Sequence, residues 1–213
     1  MKIDSIKPLV LLIFTLTSYD ISAQNKYEIP KMSIQFDIGI GKNGTGDMNG
    51  FQINTELKKY FREKMSFAVG IGATIHDGVF LNIYTDTQGK QVDGSLRYNS
   101  DGLQVATKLG LSFIRNQKSD LGMQIGSIFR YQSSSYFDEA GTYFPGGGTG
   151  FPFPVMNIIH LDPQRIFAIG GIIQPYYNYT LNEKIYIGTN AAFQVDTNGD
   201  VITQLNLSCG MKF

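Results

Sequence analysis

The chain has 213 residues with 18 basic and 18 acidic side chains, so its length fits one domain with a short extension, and its balanced charge argues against a nucleic-acid partner. Its single cysteine excludes an internal disulfide. Charged residues make up only 17%, whereas glycine, tyrosine and phenylalanine number 24, 12 and 15, a composition typical of a β protein with many turns.

The first residues have the layout of a secretory signal peptide. Lys2 and Lys7 supply positive charge, an apolar run begins at residues 9–14, and Ala23 is the small residue that a cleavage site needs. The apolar run is too short for a membrane anchor, and no cysteine lies near the cut, so a lipoprotein is not expected. We predict a signal peptide at residues 1–23 and a barrel domain at 24–213.

Eight later segments alternate apolar and polar residues, which is the pattern of strands with one apolar face. Most are roughly ten to thirteen residues long, near the length that a tilted transmembrane strand needs. Pro175 removes one hydrogen-bond donor from the sixth segment, so we expect a bulge or an early strand end there. The predicted strands cover residues 32–41, 51–61, 67–75, 103–113, 121–131, 167–179, 185–195 and 201–213.

The connections between these strands alternate strictly between short and long. Those after the second, fourth and sixth strands are short and lie on the side of both termini, whereas the longer ones lie on the opposite side. The connection at 76–102 carries a predicted hairpin of its own, and Asn198-Gly199 is a hairpin signal before the last strand. This pattern predicts an all-β, eight-stranded antiparallel up-and-down transmembrane β-barrel.

Alternation alone does not decide which face is inside, because a soluble calyx of the lipocalin type would place the apolar face inward. Two features favour the membrane barrel. Glycine is frequent on the polar face, for example at Gly70, Gly72 and Gly110, and it suits a narrow, crowded lumen. Aromatic residues on the apolar face collect near both ends of the strands, as they do in the two girdles of membrane barrels.

The last strand carries a resemblance to a known family. It alternates from Val201 onward and ends on Phe213, which resembles the closing strand of bacterial outer-membrane barrels, where a terminal Phe is the usual assembly signal. The pattern of nearly the whole mature chain is similar to the small OmpA/OmpX-like barrels and to the outer-membrane β-barrel domain of Bacteroidetes. The resemblance implies a monomer in the outer membrane of a Gram-negative bacterium, inserted by the barrel-assembly machinery and in contact with membrane lipids and lipopolysaccharide.

Charged residues on the polar face become interior residues in such a barrel. Buried charges must pair or accept hydrogen bonds, and eight strands leave an interior just wide enough for side chains. We therefore expect a charge network that fills the lumen. The alternative is a proton or ion path, and hence a narrow pore. The expected network comprises Asp37, Glu56, Lys58, Lys108, Arg130 and Lys212.

Some barrels of this size modify lipid A, as deacylases or acyltransferases that use histidine, serine and an acidic residue. Here His76 lies at the end of the third strand, His160 lies in a long loop, and residues 133–135 are all serine. These residues share one rim, but their spacing matches no motif of those enzymes. Two histidines are also weak support for a metal site, so we predict no catalytic residue, metal or cofactor, and keep the lipid A enzyme as an alternative.

The long loop before the sixth strand contains a Phe-Pro-Phe-Pro segment. Phe151 and Phe153 are therefore candidate contacts for an extracellular ligand. Cys209 falls on the apolar face, where we expect it to act as a small apolar filler. Together these patterns predict a non-enzymatic integral outer-membrane barrel with a structural role or a binding role through its loops.

Overall fold

The computed structural model describes residues 31–44, 48–86, 88–143 and 154–213. The predicted signal peptide at 1–23 and the two loop residues Phe151 and Phe153 lie outside these ranges. The described residues contain no helix long and apolar enough to cross a membrane. Their strands are β1 (Met32–Asn43), β2 (Met48–Tyr60), β3 (Met65–Phe80), β4 (Ile83–Thr85), β5 (Gln91–Asp93), β6 (Leu96–Arg115), β7 (Ser119–Ser134), β8 (Glu139–Tyr143), β9 (Val155–Ile159), β10 (Arg165–Thr180), β11 (Ile185–Asp196) and β12 (Val201–Lys212).

Eight of these strands form a closed antiparallel barrel, in the order β1, β12, β11, β10, β7, β6, β3 and β2. The first and last strands pair from Ser33 opposite Lys212 to Asn43 opposite Ile202. Met32 and Phe213 extend this seam with two backbone hydrogen bonds of 2.9 Å each. The predicted eight-stranded barrel is confirmed.

Two small hairpins stand at one end of the barrel. Strands β4 and β5 pair with each other, and so do β8 and β9. The strands that lead to them are longer than predicted, since β3, β6 and β7 have 16, 20 and 16 residues. We call this end of the barrel the hairpin end, and the end that holds Met32 and Phe213 the terminal end.

The barrel has an apolar exterior and a polar interior. Outward side chains such as Ile40, Phe129 and Leu207 are 66%, 58% and 70% exposed. Inward side chains include Arg130 and Glu56, which are only 1% and 2% exposed. Outward aromatic residues lie near both ends: Phe61, Phe67, Phe113, Tyr177, Tyr179 and Phe213 at the terminal end, and Phe51, Phe129, Tyr131, Phe167 and Phe193 toward the hairpin end.

The expectation for Pro175 is wrong. Strand β10 continues through Pro175, which pairs with Met123 of β7. On its other side, the pairing with β11 skips two residues between Ile173 and Tyr176 but resumes in the same register. The missing N–H of Pro175 therefore interrupts the pairing with β11 locally. The register of β10 does not shift, because its pairing with β7 is continuous. The register shift that does occur lies between Ser112 and Ile114, in the pairing of β6 with β7.

The turn between β11 and β12 uses the predicted Asn-Gly pair. Gly199 has a φ of 79°, a left-handed conformation that only glycine adopts without a steric penalty. The side chain of Asp196 accepts hydrogen bonds from the backbone N–H groups of Asn198, at 3.0 Å, and Asp200, at 3.2 Å. This turn therefore fixes the last hairpin of the barrel and brings two carboxylates to the mouth of the lumen.

Close packing inside the lumen is testable at Gly210. A Cβ atom at this position would overlap the ring of Tyr186 and lie 2.6 Å from the carbonyl oxygen of Ile34. We expect Gly210→Ala to lower the free energy of unfolding by about 1–3 kcal/mol, since overpacking forces such groups apart. Urea unfolding in lipid vesicles measures this. Gly171→Ala is the matched control, because a Cβ there meets only the Gly126 oxygen at 3.9 Å; an equal loss in the control would contradict the explanation.

Candidate functional site

A layer of tyrosines closes the lumen at the terminal end. The hydroxyl groups of Tyr60 and Tyr176 donate to the two oxygens of Asp120 at 2.9 and 3.3 Å. The hydroxyl group of Tyr186 donates to the Gln35 side chain at 3.1 Å. Because Asp120, Tyr176 and Tyr186 are at most 4% exposed, these rings and their carboxylate partner fill the cross-section there.

The central charge cluster is organised by Glu56. This carboxylate forms salt bridges with Lys58, at 3.6 Å, and with Lys108. It also accepts a hydrogen bond from the Gln124 side chain at 2.8 Å. Lys108 donates a second bond to Gln174 at 2.6 Å. One carboxylate on β2 therefore ties together β2, β6, β7 and β10 across the lumen.

Asp37 belongs to a separate network of amide side chains. It accepts hydrogen bonds from Gln35, at 2.8 Å, and Asn190, at 3.1 Å. Asn190 in turn accepts a bond from Asn206 at 2.8 Å, and Asn206 accepts one from Gln52. This network lines the lumen along β11, β12, β1 and β2.

The opposite side of the lumen is apolar at the same height. Ala106, Ile128, Ile172 and Ala192 form a buried cluster on β6, β7, β10 and β11. Each lies two residues along its strand from an inward polar side chain, for example Ile128 beside Arg130. A small cavity of about 20 Å³ lies between this cluster and the amide network, room for about one or two water molecules.

A second charge cluster lies at the hairpin end, where Arg130 meets two carboxylates. Its guanidinium group is 3.5 Å from Asp196 and 3.7 Å from Asp200. Asn43 donates to Asp200 at 3.3 Å, and His76 is only 1% exposed. Two inward carboxylates therefore share one guanidinium group above the apolar cluster.

Of the six charged residues predicted to form the lumen network, only three form salt bridges with one another. Glu56, Lys58 and Lys108 form one cluster, whereas Arg130 pairs with carboxylates outside the predicted set. Lys212 donates to the Thr180 hydroxyl group at 2.7 Å. Asp120, Asp196 and Asp200 are also buried in the lumen. They were not among the predicted residues, because each lies one position outside a predicted strand, next to a turn.

Outside the barrel, the two small hairpins form one unit that we call the hairpin platform (β4, β5, β8 and β9 with the described residues that flank them). Phe137, just before β8, packs with Met48 of β2 and Tyr98 of β6 in a buried cluster that joins the platform to the barrel, with exposed fractions of 3–8%. The side chain of Asn82, next to β4, donates to Thr142 of β8 at 2.8 Å. The hairpins are thus held to each other as well as to the barrel.

A carboxylate fixes the other side of the hairpin platform. Asp138 accepts hydrogen bonds from the backbone N–H groups of Leu161, at 2.5 Å, and Asp162, at 3.2 Å. These two bonds lower the pKa of Asp138 below its ordinary value, because they favour the charged form. The contact therefore persists over the whole neutral range and weakens only in acid.

The platform exposes several apolar side chains away from the barrel wall. All of them are more than 40% exposed. They are Leu81, Ile83, Tyr143, Ile158 and Leu161, with exposed fractions of 74%, 61%, 50%, 41% and 71%.

The candidate catalytic residues of the lipid A alternative are not brought together. His76 points into the lumen, whereas His160 lies on the platform, where its Nδ1 is 3.0 Å from the carbonyl oxygen of Tyr136. Ser134 and Ser135 form hydrogen bonds with Asn99 instead. Among the described residues, no group of three or more His, Cys, Asp or Glu side chains is placed to hold a metal ion. Cys209 is exposed on the outer wall.

No protein-family model matches this chain, and no curated protein sequence does. Its backbone is similar to the crystal structure of Neisserial surface protein A, with 11% identity, a TM-score of 0.50, and coverage of 86% of this chain and 97% of that one. The attachment invasion locus protein Ail of Yersinia pestis has 12% identity, a TM-score of 0.43 and coverage of 85% and 96%. The N-terminal barrel domain of Pseudomonas aeruginosa OprF has 10% identity, a TM-score of 0.39, and coverage of 85% of this chain and 97% of that one. The likeness to Neisserial surface protein A supports the fold alone, a small closed β-barrel.

The dependence of the lumen on Glu56 is testable by charge removal. We expect Glu56→Gln to lower the free energy of unfolding by about 3–5 kcal/mol, because it leaves Lys58 and Lys108 buried without a counter-charge. Urea unfolding in lipid vesicles measures the loss. Asp77→Asn is the control, since the Asp77–Arg97 pair is 49% and 76% exposed and such pairs contribute at most about 1 kcal/mol. Equal effects of the two substitutions would contradict a buried charge cluster.

Proposed function

We propose that this protein is a non-enzymatic integral barrel of the outer membrane of a Gram-negative bacterium. Its lumen is sealed, and its hairpin platform faces the cell exterior as a binding surface. The barrel acts as a monomeric support, assembled through its closing strand with Phe213 as the assembly signal. Outer-membrane lipids, including lipopolysaccharide, surround it.

The observation that carries this proposal is that the barrel is apolar outside and polar inside, the reverse of a water-soluble protein. A row of exposed aliphatic and aromatic side chains surrounds the barrel, whereas buried carboxylates, lysines and amides fill its interior. In water this arrangement exposes a large apolar surface, but in a bilayer it places that surface against lipid. Closure of the sheet leaves no unpaired edge in the apolar region, which a lipid environment demands.

The contents of the lumen favour a sealed barrel over a pore. Starting from the terminal end, the layers are the Tyr176 and Tyr186 rings, the Glu56 cluster, the apolar cluster around Ile128, and the Arg130 cluster. Eight strands leave only enough room for such side chains. The 20 Å³ cavity between them is too small for a continuous column of water.

The hairpin platform supports a binding role. Rigid hairpins that carry exposed apolar side chains on a stable barrel are a common design for recognition, because the barrel fixes the loops in place. The apolar side chains of Leu81, Ile83 and Leu161 are largely exposed, so a ligand could contact them. In contrast, the separation of His76 from His160 gives the lipid A enzyme no support.

The sealed lumen is testable by electrical recording. We expect no discrete conductance steps when the folded protein is inserted into a planar bilayer. A porin added under the same conditions shows that insertion and recording work. A heat-induced shift on unboiled and boiled gels confirms that the sample is folded, because closed barrels remain intact in detergent until heated. Reproducible single-channel steps from the folded protein would overturn the sealed barrel and favour the narrow pore.

The binding role of the platform is testable with an array of immobilised glycans and peptides. We expect the native protein to bind some of the immobilised glycans or peptides. A variant combining Leu81→Ser, Ile83→Ser and Leu161→Ser should no longer bind them, because the substitutions remove the exposed apolar surface. Leu111→Ser on the barrel wall, itself 46% exposed, is the control and should bind normally. Equal binding by the triple variant, or no binding by the native protein, would contradict the proposed role.

A further inference from the structure

The terminal end of the barrel carries an excess of exposed basic side chains, which we call the basic rim. Two exposed acidic side chains, Glu63 and Glu183, stand among them. Within the described ranges, none of these basic side chains takes part in a salt bridge. A carboxylate on Phe213 would still leave an excess of positive charge. The basic rim comprises Lys31, Lys59, Arg62, Lys64, Lys118 and Lys184.

This excess is specific to the terminal end. Residues 1–30, which lie outside the described ranges, contain as many acidic as basic side chains and so add no net charge. Because the chain as a whole is neutral, its exposed charge is segregated between the two ends of the barrel. At the hairpin end the exposed acidic side chains outnumber the basic ones, with Asp77, Asp93, Asp138, Glu139 and Asp162 against Lys42, Lys90, Arg97 and Arg165.

Backbone hydrogen bonds fix where the cations stand around the basic rim. The carbonyl oxygens of Lys31 and Lys64 accept bonds from backbone N–H groups of β2 and β6, at 2.9 and 2.8 Å. Those of Lys118 and Lys184 accept bonds from β10 and β12, at 2.7 Å each. Each of these segments is therefore tied to a neighbouring strand, and the cations are distributed around the terminal end.

Lys59 shows where the basic rim lies relative to a bilayer. It points outward from β2, beside Met32 of β1 and Phe67 of β3, and Phe61 is the next outward residue toward the end of the barrel. Outward aromatic residues mark the interface between hydrocarbon and headgroups. The lysine stem therefore lies along the apolar wall, and its ammonium group reaches the headgroup layer.

The position and charge of the basic rim favour an anionic lipid as its ligand. The turns that carry Arg62, Lys64, Lys118 and Lys184 follow the outward aromatic residues of their strands, so their cations lie at headgroup height or just beyond it. The phosphate of an anionic phospholipid fits this height, and each nearby Lys or Arg contributes about 1 kcal/mol to the attraction. A soluble acidic peptide does not explain a cation set within the apolar wall at Lys59.

We propose that the basic rim binds the phosphate groups of anionic phospholipids, with the strongest contact at Lys59, Arg62 and Lys64 around the β2–β3 turn. This inference rests on the proposed membrane barrel and gives its terminal end a lipid partner. The lipids form a ring of counter-charges that holds this end of the barrel in one leaflet. The acidic excess at the hairpin end offers such lipids no equivalent surface.

Native mass spectrometry of the folded, full-length protein in detergent tests the basic rim. The probes are phosphatidylglycerol and phosphatidylethanolamine with identical acyl chains, so that they differ only in their headgroups. We expect phosphatidylglycerol to bind more tightly. A variant combining Arg62→Gln and Lys64→Gln should bind it about thirtyfold more weakly, because it removes two cations that each contribute about 1 kcal/mol.

The matched control combines Lys90→Gln and Arg165→Gln, which remove the same charge from exposed positions at the hairpin end. This control should bind phosphatidylglycerol as tightly as the native protein does. The proposal is overturned if phosphatidylethanolamine binds equally well, if the control loses as much binding, or if the Arg62 and Lys64 variant loses none.

Two soluble competitors identify the source of the anion. Neither glycerophosphoglycerol, the free headgroup, nor a soluble acidic peptide should displace the lipid at equal concentration, and displacement by either one overturns a lipid partner. A heat shift on gels separates these results from failure of the barrel. Protein without the shift contradicts the membrane barrel and the basic rim together, whereas protein that shifts but does not distinguish the two lipids contradicts only the basic rim.

Discussion

Backbone pairing between the first and last barrel strands is the interaction on which the rest of this structure depends. Eleven residue pairs, from Ser33–Lys212 to Asn43–Ile202, join β1 to β12. Without that seam two strand edges would be open, and their unpaired N–H and C=O groups would be costly in any apolar environment. Closure also creates the lumen, because it separates an inner face from an outer one.

In the closed barrel, the inward side chains must pack together in a narrow lumen. The interior of eight strands is narrow, so large side chains such as Arg130, Lys58 and Tyr186 need space from small neighbours. Gly210 beside Tyr186 and Gly102 beside Arg130 supply it, since a Cβ at Gly102 would be 2.6 Å from the Arg130 Nε. Glycine on the inner face is therefore a packing requirement of a filled lumen.

Different charged and polar groups hold the two ends and the centre of the lumen together. The terminal end relies on aromatic rings and Asp120, the centre on Glu56 between two lysines, and the hairpin end on Arg130 between two carboxylates. Breaking a buried salt bridge lowers the free energy of unfolding far more than breaking an exposed one. The buried charge pairs therefore hold the strands of the barrel together across the lumen.

The sequence by itself determined the number of barrel strands, the alternation of their two faces and the presence of the last turn, because alternation and Asn198-Gly199 are local signals. It did not predict the β8–β9 hairpin. It also placed Glu56, Lys58 and Lys108 on the inner face. Only the tertiary structure decided which charges meet, since Arg130 pairs with Asp196 and Asp200 from a distant strand and turn. Pairing depends on the register between strands, which alternation within one strand does not specify. The same holds for Pro175, where β7 maintains the register, and for the platform, where Asn82 meets Thr142 from another hairpin.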